Sequence, residues 1–516
     1  MLRSRRPVRH TAVMVLALLT LVSACTVGPS TRPDLAVYGD DGAPAASVAP
    51  EQIARPTGPG GPGQTGEFNG TWSGCPGYIV TKTTGPAPFT VECNQITVPA
   101  DHFQDRRADF DLIIARGRAA ALPADAPELV VLTGTGQLGV GLDGATTIAA
   151  TLDALPTSIT DHFAVIGMDV RGTGQGLAVS CLLGPIQRYM LALNPTAGGS
   201  DSLLEVGKQI SFACGDKTAP LTTFYNTSAI ADDLDSLRAA LGTDRLNLLG
   251  SGYGATLAGV YVDRYPGRVA HAVLDAPTDH LVPASETAAT SAVAYEKALD
   301  AFAADCVDGD APCPLGEDPR AAVTTVMTTV DGLDSRTSAG TVKWLLTLGL
   351  PDQRRWPELA ATLATADPDT IQRKLSDWMS PEISDWLLIT CNDSAERLTS
   401  ADLQTKMTEA AGAAPVFGEF LVGMTALCSS WPVPEYPLGA VRGNGAPPVL
   451  VLGAVNDPVS PYAGVQAVVA QLSSAQLLSW QNSDHGSFPR TRCITDAVDA
   501  YLISSTMPGS GLVCPA

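Results

Sequence analysis

The 516-residue chain has 32 basic and 53 acidic residues, eleven cysteines, 45% hydrophobic residues and only 16% charged ones. A net charge of −21 argues against a nucleic-acid binder, which needs a basic face, and the apolar content argues against a disordered polyelectrolyte. The cysteines suit an oxidising compartment, and their odd number leaves one without a partner.

Arg3, Arg5, Arg6, Arg9 and His10 precede an apolar run from Thr11 to Val22, followed by Ser23, Ala24 and Cys25. This is the layout of a secretory signal peptide over residues 1–24, since the run is shorter than the roughly 20 residues a membrane helix needs. Val22-Ser23-Ala24-Cys25 resembles a bacterial lipobox, in which the cysteine is acylated and becomes the new N-terminus. Plain secretory cleavage after Ala24 is the alternative. The expected location is the extracytoplasmic face of the cell membrane, touched only through a lipid on Cys25, or otherwise the secreted fraction. Losing the signal removes four arginines and no acid, leaving 28 basic against 53 acidic residues, a net −25. Residues 25–66 read as the anchor and a Pro/Gly linker, closing on Gly58-Pro59-Gly60-Gly61-Pro62-Gly63.

From 67 to 280, strand and helix patterns alternate. Strands are expected at Ile96–Val98, Phe110–Ala115, Leu129–Leu132, Phe163–Asp169, Leu246–Gly250 and Val269–Leu274. Thr227–Leu241 reads as an amphipathic helix capped by Thr227, with Ile230, Leu234, Leu237 and Leu241 on one face. Residues 281–441 carry helical patterns only, with five of the seven tryptophans, and read as an inserted helical cap. Strand signals resume at Pro448–Leu452 within the closing segment 442–516. The class is α/β, with a mostly parallel sheet, helices on both faces and a helical insertion.

Gly250-Ser251-Gly252-Tyr253-Gly254, between a strand and a helix, outlines a nucleophile elbow of the G-x-S-x-G type that marks α/β hydrolases. The residue where serine belongs is Gly252. Ser251 is out of register, because the residues two before and two after it are Leu249 and Tyr253. Asp457, in a loop behind a strand, and His485, in a Gly/Ser/Asp turn, follow in the chain order of a triad's acid and base. Without a nucleophile they read as triad remnants or as a hydrogen-bonded pair supporting two loops. Backbone N–H donors for an oxyanion are expected at Tyr253 and in the Gly134–Thr135 region. Arg171-Gly172-Thr173-Gly174 reads as a structural turn rather than a phosphate loop. No cluster has zinc spacing, so neither a metal nor a cofactor is expected.

The chain resembles secreted tripeptidyl aminopeptidases of the α/β-hydrolase superfamily, prolyl-aminopeptidase-related serine peptidases with a TAP-like C-terminal module. The resemblance runs from about Trp72 to Cys514. It rests on Glu92-Cys93, Val98-Pro99-Ala100-Asp101, Asp169 to Gly174, Asp232-Asp233-Leu234, the elbow outline, Leu274-Asp275, Asp457-Pro458, His485-Gly486-Ser487 and Ala500-Tyr501-Leu502. The family's N-P-G-G-P-G oxyanion loop appears as Leu132-Thr133-Gly134-Thr135-Gly136-Gln137, without its prolines. The resemblance implies an α/β-hydrolase fold, and Asp393 or Glu396 as cap acids for a peptide's α-ammonium; a helix start is the alternative for both. With Cys25 set aside, it also implies the pairs Cys75–Cys93, Cys181–Cys214, Cys306–Cys313, Cys391–Cys428 and Cys493–Cys514. The function expected is a non-catalytic pseudo-hydrolase that binds a peptide or acyl ligand uncleaved. An active serine hydrolase using Ser251 or an activated water with Asp457 and His485 is one alternative. A structural or interaction protein of the envelope is another.

Overall fold

The computed structural model describes residues 66–516 apart from 86–88, 104–107, 135–142, 175–177, 183–194, 310, 332–336, 380–382 and 435–436. The signal segment, Cys25, nearly all of the linker and Thr135 therefore lie outside the described residues. Among those described, no helix is long and apolar enough to cross a membrane.

Nine strands form one sheet in the order β1-β2-β4-β3-β5-β6-β7-β8-β9. They are β1 (Phe89–Pro99), β2 (Asp109–Ala119), β3 (Glu128–Leu132), β4 (Ala164–Met168), β5 (Leu246–Ser251), β6 (Val269–Asp275), β7 (Val449–Ala454), β8 (Ala475–Trp480) and β9 (Val513–Cys514). β1 and β2 run antiparallel at one edge, and every pairing from β4 onward is parallel. The apolar runs explain this arrangement. Every residue of β4 and of β7 is buried, because helices cover both faces of a parallel sheet. Each large side chain so enclosed contributes about 1.5–3 kcal/mol.

On one face, helices Thr227–Ala240, Tyr253–Arg264 and Tyr462–Gln471 pack Leu234, Leu257 and Val465 against the strands. On the other face, Ile148–Ala154 and Arg492–Ser504 contribute Ile148, Leu152, Ile494 and Val498. The cap of the first of these helices is Asn226 rather than Thr227. The Asn226 side chain accepts from Ala229 N–H, and Thr227 is already helical.

The five disulfides pair as the resemblance implies. Among the described residues, eight α-helices lie between Ala284 and Met424. Helix Pro195–Thr218, which the sequence reading left within the first α/β segment, packs on this cap: Leu203, Val206 and Ile210 share a core with Trp344, Leu387 and Phe420. The spacing of Leu203, Val206, Ile210 and Cys214 was the available signal.

Arg171 is wholly buried, so its turn is a structural one. Its guanidinium binds Asp233 through Nε (2.8 Å) and Nη2 (2.6 Å) and the carbonyls of Ala100 and Phe224 through Nη1. His102 Nε2 lies 2.8 Å from the same carboxylate, and the guanidinium stacks on Phe110.

Candidate active site

The site residues gather at the carboxyl ends of the central strands, where open α/β sheets place their ligands. β5 ends at Ser251, Gly252 forms the apex of the turn, and helix Tyr253–Arg264 begins directly after it. Gly252 has φ 57° and ψ −119°, a left-handed conformation in which a residue with a Cβ is strained. The flanking glycines are required by packing. A Cβ on Gly250 would strike the backbone of Gly254 and Ala255, and one on Gly254 would strike Leu132.

Asp457 lies in the loop after β7, and His485 in the turn after β8. The two meet: His485 Nδ1 donates to Asp457 Oδ2 at 2.9 Å. Asp457 Oδ1 also accepts from Val459 N–H (2.8 Å) and Ser460 N–H (3.0 Å), which fixes the carboxylate. His485 Nε2 is buried, has no hydrogen-bond partner and faces the apex, 2.9 Å from where a Cβ on Gly252 would stand. The base and its orienting acid are therefore in place, and a backbone carbon stands opposite them.

Ser251 lies beside the histidine turn. It pairs with Asp275 across β5 and β6, and its Oγ lies 3.4 Å from the position of a Cβ on Gly486.

Of the expected oxyanion donors, Tyr253 N–H is taken up: it donates to the carbonyl of Gly134 at 2.8 Å, and Thr135 lies outside the described residues. The same carbonyl oxygen occupies the space that a Cβ at position 252 would take.

Asp275 was singled out in the sequence only as part of the resemblance, yet it organises the site. Its backbone carbonyl accepts from Gly252 N–H at 2.8 Å, and its carboxylate accepts from Ser487 N–H (2.7 Å) and Phe488 N–H (2.8 Å). Burial raises its pKa above the usual carboxylate range, and those two hydrogen bonds and His485 only partly offset this. The cap also reaches the histidine turn, where His485 N–H donates to Pro351 O and Gln353 N–H to Asp484 Oδ1, each at 2.9 Å. Asp393 and Glu396 hold helix starts. Asp393 accepts from Thr227 N–H and Oγ1, and Thr227 Oγ1 also meets the Tyr253 hydroxyl; Glu396 accepts from Ser285 N–H and Oγ.

Burial alone would depress the His485 pKa, but the charge and hydrogen bond of Asp457, with Asp275 behind them, raise it above the ordinary value. A histidine pKa raised on folding adds stability that is fully present below the unfolded value, near 6.5, and is lost as pH rises through the folded value. We expect the ring to titrate above 6.5 by NMR and Asp457→Asn to lower that midpoint. An unchanged midpoint in the variant would show that Asp457 does not set the charge of His485.

Residues 136–309 match the family described as alpha/beta hydrolase fold, and residues 414–514 match the one described as TAP-like protein. Serine protease Hip1 of Mycobacterium tuberculosis is 28% identical over 464 residues, covering 82% of this chain and 87% of that protein. Tripeptidyl aminopeptidase of Streptomyces lividans is 23% identical over 463 residues, covering 83% and 84%. Among solved structures, a proline iminopeptidase of Mycobacterium smegmatis aligns at 14% identity and a TM-score of 0.40, over 80% of this chain and 98% of that one. The sheet order and the elbow turn are those of the α/β-hydrolase fold. The segment similar to TAP-like proteins, residues 414–514, holds both Asp457 and His485.

Proposed function

We propose that this chain is a non-catalytic lipoprotein of the cell envelope that binds a peptide or acyl ligand without cleaving it. The observation that carries the reading is the Gly134 carbonyl. It takes the Tyr253 N–H that would stabilise an oxyanion and fills the space of a nucleophile's Cβ. Gly252 supplies no nucleophile, and in a well-studied protease the loss of that one group costs about 2 × 10⁶ in turnover. The lipobox-like Val22-Ser23-Ala24-Cys25 supports anchoring through Cys25, and the five disulfides suit an oxidising compartment.

A fluorophosphonate probe, which labels activated serines, tests the reading. We expect no labelling of the full-length protein. Labelling that disappears in Ser251→Ala would overturn the proposal and establish a serine hydrolase using the residue before the apex.

A further inference from the structure

The chain crosses between sheet and cap at a neck of two segments. It leaves β6 through residues 276–283, enters helix Ala284–Asp308, and comes back to β7 through residues 437–448. Side chains tie the two segments together. His280 Nε2–H donates to the carbonyl of Gly439 at 2.7 Å, across 159 positions of sequence. Gln471 bridges the same segments: its Nε2 donates to Asp279 Oδ1 (3.0 Å) and its Oε1 accepts from Val441 N–H (3.3 Å). Asp263 Oδ1 accepts from the N–H groups of Arg442 (2.7 Å) and Gly443 (3.0 Å), which holds the returning segment to helix Tyr253–Arg264.

Of the side-chain types in these ties, histidine is the one that ordinarily changes charge between pH 5 and 8. The bond to Gly439 puts the ring hydrogen on Nε2, and Nδ1 is buried with no hydrogen-bond partner. A proton added at Nδ1 becomes an enclosed donor without an acceptor, on an enclosed charge. Burial therefore holds the ring's pKa below its ordinary value. It outweighs the Gly439 and Thr278 carbonyls and the charges of Asp279, on the outgoing segment, and Asp263, on the helix behind, all of which favour the proton. Arg442, the cation of the returning segment, is exposed.

We propose that the neck is an acid-sensitive latch, in which proton uptake by His280 parts the ring from Gly439 and frees the returning segment from the outgoing one. Above about pH 6.5 the ring is neutral whether the neck is closed or open, and the latch holds fully. Below that value the open neck takes up the proton first. The latch weakens until pH falls through the closed-state value, below which nothing more is lost. The effect reaches a neighbouring recess of about 180 Å³, lined by Thr278, Asp279 and Val282 of the outgoing segment and by Ser460. Slack in the neck loosens that wall. The disulfides that staple the cap do not respond to the proton, so the opening stays at the neck. The latch is independent of whether the elbow cleaves a ligand.

Hydrogen exchange of the full-length protein at pH 7.5 and pH 5.5, corrected for intrinsic rates, tests it. Peptides covering 276–283 and 437–443 should open more often at pH 5.5, by a factor limited to about tenfold when the freed ring titrates near 6.5. The β7 peptide Val449–Ala454 should not change. His280→Gln, whose amide can still donate to Gly439 but takes up no proton, should remove the difference between the two pH values. NMR of the unmodified protein should show the His280 ring titrating below 6.5, which decides the matter even where the variant does not fold. Equal neck exchange at both pH values, a response that survives in H280Q, or a ring midpoint at or above 6.5 would overturn the latch. Local exchange is the readout because His485 shifts in the opposite sense and contributes to global stability.

Discussion

Gly252→Ser is expected to leave the protein without esterase or aminopeptidase activity and to lower its stability by about 2–6 kcal/mol. Two costs contribute. A side chain at φ 57° and ψ −119° is strained by about 1–3 kcal/mol, and forcing atoms into filled space costs about 1–3 kcal/mol more. The filled space is specific: the Gly134 carbonyl occupies the Cβ position and already holds the Tyr253 N–H. Restored serine chemistry would need that carbonyl to withdraw, freeing the donor and the space together. Gly252→Ala separates strain from chemistry, since it adds the same Cβ and no hydroxyl. Urea unfolding of both variants should show similar losses. Turnover of a p-nitrophenyl ester by the G252S variant, lost again on His485→Ala, would show that the Gly134 segment yields and that only the hydroxyl was missing.

The second large effect is expected far from the apex. Asp233→Asn should destabilise the fold by about 3–5 kcal/mol, because it leaves the Arg171 guanidinium charged and enclosed without a counter-ion. Burial alone would raise the Asp233 pKa, but Arg171 and His102 outweigh it and hold the carboxyl below its usual range. A carboxylate depressed on folding contributes stability that is present above the unfolded value, about 3.9, and is lost as pH falls through the folded value. The variant should therefore be less stable at neutral pH and lose less on acidification than the parent. Unfolding midpoints at pH 7 and pH 3 measure both. An equal loss at the two pH values would mean that packing, rather than the ion pair, sets the cost.

Much of the scaffold was legible because burial on both faces writes a parallel strand as an unbroken apolar run, as at Leu129–Leu132 and Val449–Leu452. The elbow was legible from its glycines, each required by a close backbone approach. Asp457 and His485 were found by chain order, and the structure brings them within one hydrogen bond. The Gly134 carbonyl was not legible, since side-chain patterns do not encode the direction in which a peptide group points. β9 is two residues long and carries no period of its own; it closes the sheet beside the Cys493–Cys514 bridge. The spacing of Leu203, Val206, Ile210 and Cys214 marks a buried face on helix Pro195–Thr218 but does not name its partner, which lies as much as 200 positions later in the chain.

The seam between cap and sheet has a consequence for how the cap is held. Helix Pro195–Thr218 is bolted by Cys181–Cys214, and a Cβ on its Gly207 would strike the carbonyl of Ala426. Cys391–Cys428 closes the cap on itself nearby, and Asn392 Nδ2 donates to the carbonyls of Thr222 and Tyr225. Ser384 Oγ accepts from the backbone of Cys181 and Leu182, and Pro351 from that of His485. Among the described residues the roof is thus tied down at several separate points, so that loosening any one of them leaves the others to hold it.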